Sequence, residues 1–129
     1  MGVWGFGAFE NDTAVHWVHD LEDAKDHTVL ETAFLSVLNV SVAAEMDCCE
    51  ALAAAEVVAA LHKAPSESVP DEVTAWIKEH PTLTESLRDK SIQATEAMLS
   101  DSGLRNLWEE EDDLDVWKDE LEDLIQRLK

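Results

Sequence analysis

The stretch Cys48-Cys49-Glu50-Ala51-Leu52-Ala53-Ala54-Ala55-Glu56-Val57-Val58-Ala59-Ala60-Leu61 decides the fold. It is apolar nearly all round, and a helix with no polar face is a buried one. Its alanines let neighbouring backbones approach closely, so this segment is expected to be the central helix, with the other elements packed around it. Its interior exception is Glu56, which shares a face with Leu52 and Ala59 and has Ala60, not a lysine, at i+4. A carboxylate in that position sits at a rim or takes its hydrogen-bond donors from another element. The reading adopted is structural: Glu56 is expected to fix the N-terminal segment through backbone amides or an indole N–H. A lone acid with no nucleophile or base partner is poor evidence for catalysis.

Working outward, the remaining segments read as helices. Asn11 or Asp12 caps a helix whose Ala14, Trp17, Val18, Leu21 and Ala24 form one stripe. Leu30, Ala33, Phe34, Val37 and Leu38 repeat the pattern before a break at residues 39–42, although residues 34–42 also admit a short strand. Residues 64–68 are a loop. Pro70 suits the first position of a helix carrying Val73, Trp76 and Ile77, and Pro81 ends it. Thr82 with Glu85 reads as a capping box for a helix carrying Leu83, Leu87, Ala94 and Met98. Ser102-Gly103 marks a joint, followed by a short helical turn with Leu104, Leu107 and Trp108. The last helix gathers Leu114, Trp117, Leu121, Leu124, Ile125 and Leu128 within about 100° of arc. Arg127 and Lys129 at its end suit the helix dipole.

The first ten residues, Met1-Gly-Val-Trp4-Gly-Phe6-Gly7-Ala-Phe9-Glu10, form a strap of glycines and aromatics expected to tuck onto the core. They are too interrupted for a secretory leader, and no lysine or arginine precedes them, so the strap is expected to be retained. Their glycine spacing matches neither a dinucleotide fingerprint nor a P-loop. The expectation is therefore an all-α, single-domain helical bundle of about five to seven helices: strap 1–10 and helical body 11–129. Trp4, Phe6, Phe9, Asn11, Asp12, Trp17, Glu56, Trp76 and Trp117 are its expected structural residues.

Composition limits function. The 129 residues carry 29 acidic against 9 basic side chains, a formal net charge of -20. Such a field repels nucleic acid and anionic membrane and attracts a basic protein. The two cysteines are adjacent and offer no disulfide framework. No apolar run approaches a membrane span, which makes the cytoplasm the default location and reduced thiols the default state.

Two constellations carry the functional alternatives. Asp12, His16, His19 and Asp23 recur at i, i+4, i+7 and i+11, within about 60° on the first helix. Imidazole and carboxylate on adjacent turns are ligands for zinc, nickel or copper. The strip lies opposite the apolar stripe, so it faces solvent and lacks an enclosing shell. The acidic run Glu109, Glu110, Glu111, Asp112 and Asp113, continued by Asp119 and Glu122, is the second, with Trp108 as a candidate anchor at its edge. Cys48 and Cys49 lie near a helix start, which favours thiolate, beside Asp47 and Glu50, which oppose it. His27, His62 and His80 sit at helix ends and imply nothing further.

Four segments in order carry a resemblance: MGVWGFGAFENDTA at the start, ALAAAEVVAAL at residues 51–61, VPDEV at 69–73 with Trp76, and SGLRNLWEE at 102–110 with Trp117 and the leucines after it. Together they resemble the bacterial family designated domain of unknown function 4259, over essentially the whole chain. Gly103 and Asn106 stand where that family tends to carry an acid, and His16 and His19 are not part of the pattern. The resemblance implies a small cytoplasmic protein and no activity, cofactor or catalytic residue.

These observations lean away from an enzyme and imply no cofactor. The first expectation is a non-enzymatic acidic protein that binds a basic protein partner, in the manner of an inhibitor or immunity protein. The alternatives are a metal- or small-molecule-binding protein using the Asp/His strip with Glu56, and a self-associating domain that buries an exposed apolar stripe of its last helix against a copy. The sequence leaves the oligomeric state open.

Overall fold

A computed structural model describes residues 7–129. Seven helices follow one another: α1 (Asp12–Glu22), α2 (Thr28–Leu38), α3 (Glu45–Leu61), α4 (Asp71–Glu79), α5 (Glu85–Ser100), α6 (Gly103–Glu110) and α7 (Leu114–Leu128). The fold is all-α, with no strand among the described residues. The strand expected within residues 34–42 is absent because Phe34 and Val37 are buried on the helical face of α2, which runs on to Leu38. The extended backbone beyond it makes a single isolated bridge, Ala43 to Ser102.

The central helix is α3. It begins at Glu45, three residues before the apolar run, and twelve of its seventeen residues are buried. It packs against every other helix of the bundle. A helix surrounded on all sides can carry no polar stripe, and Ala51, Ala53, Ala54, Ala55 and Ala59 at full burial keep its neighbours close. One buried cluster takes residues from all seven helices, including Leu21, Phe34, Val57, Val73, Met98, Leu104 and Trp117.

The surrounding helices are set by their caps. Asn11 Oδ1 accepts the Ala14 amide at 2.7 Å and opens α1, so Asn11, and not Asp12, is the cap. Asp12 is an exposed first-turn acid instead of a packing residue. Pro70 is the cap of α4 and lies one residue before the helix proper. The capping box expected from Thr82 and Glu85 is not formed; the cap lies two residues later, with Leu87 and no acid at its third helical position. Thr84 is the extended residue that begins α5, and its Oγ1 accepts the Leu87 amide at 3.1 Å. That frame turns Leu87, Ser91, Ala94, Thr95 and Met98 inward. The buried hydroxyls of Ser91 and Thr95 donate to carbonyls one turn back, at 2.6 and 2.8 Å, and so carry no unpaired polar atom into the core. Ser102 Oγ accepts the Arg105 amide and donates to the Met98 carbonyl, tying the end of α5 to the start of α6.

The C-termini of α3 and α6 close identically. Lys63 and Asp112 take left-handed backbone, at φ 68° and 60°. The Lys63 and Ala64 amides bond the Ala60 and Ala59 carbonyls, and the Asp112 and Asp113 amides bond those of Glu109 and Trp108. Both are Schellman closures, a motif that ordinarily places glycine at the left-handed residue.

Candidate functional site

A buried ion pair joins α3 to α7. Glu56 is 6 % exposed, and a carboxylate so placed needs strong donors. They come from Arg127, on the last turn of α7, whose Nη1 and Nη2 donate to Oε1 and Oε2, both at 2.8 Å. The fork-to-fork geometry is the strongest form of a charge-assisted pair. Arg127 Nη1 also donates to the Ala64 carbonyl at 3.2 Å, and its Nε to Asp123 at 2.8 Å. Hydrogen bonding to the two carboxylates, Glu56 first, holds the guanidinium further toward its charged form. Glu56 is thus held by Arg127, a partner on α7 that the sequence reading did not name. A guanidinium from α7 occupies both oxygens, and among the described residues no backbone amide or indole donates to them; residues 1–6 of the strap lie outside the described residues.

This pair forms the floor of a cleft of about 600 Å³ between the loop at 65–68, α7 and the residues preceding α1. Gly7 and Ala8 contribute to one wall, Pro65 and Ser66 to another. The charged groups around the floor are Glu10, Glu67, Glu120 and Asp123. Since Arg127 is already neutralised by Glu56, the rim is anionic.

The residues singled out in the sequence fall as follows. Asp12, His16, His19 and Asp23 are all exposed, and Asp23 lies beyond the end of α1 as its cap. His19 Nδ1 lies 3.5 Å from Glu22, one turn along, not from another member of the strip. Among the described residues no group of three or more histidine, cysteine or acidic side chains is disposed to hold a metal ion. Glu109, Glu110, Glu111, Asp112, Asp113, Asp119 and Glu122 are exposed. Trp108, expected as an anchor at their edge, is 8 % exposed and belongs to the core cluster. Its position on the α6 face shared with Leu104 turns the indole inward. Phe9, Trp17, Trp76 and Trp117 are buried, while Trp4 and Phe6 lie outside the described residues. The apolar stripe of α7 is covered by the chain itself: Trp117, Leu121, Leu124, Ile125 and Leu128 are buried, and Val116 is the exposed apolar residue of that helix.

Two groupings escaped the sequence reading because they join distant segments. His27, Trp76 and His80 meet at the α1–α2 joint. His80 stacks on Trp76 at 4.4 Å, His27 stands edge-on to Trp76 at 5.2 Å, and Trp76 Nε1 donates to the Ala24 carbonyl. A carbonyl only accepts, so His27 Nε2, 3.2 Å from the His80 oxygen, carries the proton. Arg88 on α5 meets His62 at the end of α3. Cys48 and Cys49 are both buried, and loss of solvation is the main cause that raises both thiols, Cys49 up to about 12. The helix start does not overcome that penalty, so neither is an activated nucleophile.

What the fold and these sites define is an acidic all-α domain organised on one buried central helix. A family profile described as domain of unknown function (DUF4259) matches residues 2–120, and the chain belongs to that family. The match stops short of Arg127, so the cation that closes on Glu56 lies outside the matched residues. No curated protein and no solved structure matches the chain. Among the described residues no helix is long and apolar enough to cross a membrane.

Proposed function

We propose that this protein is a non-enzymatic interaction protein of the cytoplasm, whose α6–α7 face binds a basic surface on a partner protein. The observation that carries the reading is the charge of that face. Residues 109–123 hold ten acidic side chains, all exposed, against the single cation Lys118. Neighbouring arginines do little to offset them. Arg127 is spent largely on buried Glu56, and Arg105 pairs with Glu109 alone at 3.3 Å. A field of this sign steers and orients a cationic partner more than it adds raw affinity. The concrete version is an inhibitor or immunity-type protein whose helices occupy a cationic cleft built for phosphates. In this version contact is made by Glu110, Glu111, Asp112 and Asp113 on the α6–α7 turn, with Asp119 and Glu122 beside them.

The test is capture of partners from host lysate at low salt by the wild-type chain and by the quadruple charge reversal Glu110→Lys, Glu111→Lys, Asp112→Lys and Asp113→Lys. The expected result is one basic protein, held stoichiometrically, released at moderate salt and lost with the reversal. A partner retained at high salt, or bound equally by the reversed chain, would sink the reading.

A further inference from the structure

The cavity at the head of α5 places an arginine in an otherwise acidic molecule. Of the three arginines in the chain, Arg105 and Arg127 each hold carboxylates, whereas among the described residues Arg88 lies within ion-pair distance of none. Its Nη1 donates to His62 Nε2 at 3.3 Å. An arginine only donates, so that imidazole nitrogen presents its lone pair and the contact leaves the guanidinium charge uncompensated. The Nε of Arg88 is buried with no acceptor among the described residues. In a chain of net charge -20, an arginine kept from every carboxylate is the exception to explain. Arg88 and His62 line a cavity of about 400 Å³ together with Leu83, Thr84 and Glu85. Thr84 caps α5 by taking the Leu87 amide, which leaves the amides of Glu85 and Ser86 as first-turn donors.

We propose that this cavity binds a small carboxylate, held by the guanidinium of Arg88 and assisted by the first turn of α5. A planar fork of N–H groups matches a planar carboxylate. Glu85 lines the same cavity and, with the overall negative field, opposes a doubly charged anion, so the site favours a monoanion over phosphate. The inference goes beyond the basic-partner reading, because it uses the end of α3 and the start of α5 and none of the acidic face.

The experiment is a titration of ¹⁵N-labelled protein with sodium acetate, followed at the Arg88 Nε–H and the Glu85 and Ser86 amides. Sodium chloride and sodium phosphate serve as comparisons at matched pH and ionic strength. Saturable shifts are expected with acetate, weaker binding with phosphate, and none with chloride. Arg88→Gln should weaken acetate binding about tenfold, the scale of one charge-assisted hydrogen bond. Glu85→Gln, a change at an exposed position, should strengthen it and keeps the test open if the Arg88 variant fails to fold. Shifts that match chloride, phosphate binding tighter than acetate, or indifference to Glu85→Gln would each overturn the proposal.

Discussion

Arg127 closes a bidentate ion pair on Glu56 across 71 residues of sequence, pinning the last turn of the last helix to the middle of the central helix α3. The side chains retain 18 % and 8 % of their exposure, so both charges are largely removed from water. Desolvating an ion pair can cost as much as its attraction returns, but removing one member strands the other. Glu56→Met and Arg127→Met are therefore each expected to destabilise the protein by about 2–4 kcal/mol, and the Glu56→Met/Arg127→Met double variant by clearly less than their sum. Urea unfolding of all four proteins at neutral pH measures the coupling, and strictly additive losses would mean that the pair holds nothing together.

A second joint relies on an absent side chain. The Gly103 amide donates to the Ala43 carbonyl at 2.8 Å, linking the α5–α6 joint to the start of α3. A Cβ at Gly103 would stand 2.8 Å from the Glu45 nitrogen and 3.1 Å from the Ala43 oxygen, both backbone atoms. Helix propensity alone would make Gly103→Ala stabilising by about 1 kcal/mol. Overpacking against fixed backbone is expected to reverse the sign and cost about 1–3 kcal/mol. Gly7→Ala is the natural control, because there the added carbon meets the flexible Glu10 side chain, which can swing aside. If Gly103→Ala raised the thermal midpoint, the close approach at this joint would not be a constraint.

The left-handed residues offer the opposite opportunity. Lys63 and Asp112 occupy the position of a Schellman closure that glycine fills at no steric cost, and an L residue there pays about 1 kcal/mol. Lys63→Gly and Asp112→Gly are each expected to stabilise the chain by about 0.5–1 kcal/mol, partly offset by the larger freedom of glycine in the unfolded state. Asp112→Gly also relieves repulsion within the acidic run, so its gain should shrink in high salt while that of Lys63→Gly stays. Denaturant midpoints at two ionic strengths separate these contributions. A loss of stability in both variants would contradict the reading of these closures.

Periodicity made the bundle legible, while pairing across the chain stayed hidden. The unbroken apolarity of residues 51–61 could only belong to a surrounded helix, and the stripe from Leu114 to Leu128 left one face for the core. Glu56 was conspicuous in such a setting, but Arg127 in sequence is indistinguishable from any cation that suits a helix C-terminus. Seventy-one residues of separation carry no local signal. The same holds for Arg88 with His62 and for His27 with His80. Trp108 misled for a different reason. On the eight-residue α6, tryptophan beside three glutamates reads equally well as the edge of a charged face or the end of a buried one, and only packing against the core decides. At the start of α5, Thr82 and Thr84 are both plausible caps, and the frame is chosen by which one sends Leu87, Ala94 and Met98 inward together.

The buried thiols give the stability a defined alkaline limit. Loss of solvation, joined by the nearby acids Glu45 and Glu50, raises Cys49 from an ordinary 9.0 to about 12, and burial raises Cys48 in the same direction. In the folded chain the thiols hold their protons after the unfolded chain has begun to lose them. Between pH 9 and 12 the native state therefore binds more protons than the unfolded state, and stability falls as pH rises. Each such thiol contributes a slope of at most about 1.4 kcal/mol per pH unit, and below pH 9 the contribution is flat. Cys49→Ala is expected to flatten the decline above pH 9, whatever it costs in packing at neutral pH. The same burial makes both thiols slow toward a thiol-specific disulfide reagent at pH 8, with reaction limited by unfolding. Rapid, stoichiometric labelling of the native protein, or an alkaline profile unchanged in Cys49→Ala, would show that these sulfurs are reached by solvent in the folded chain.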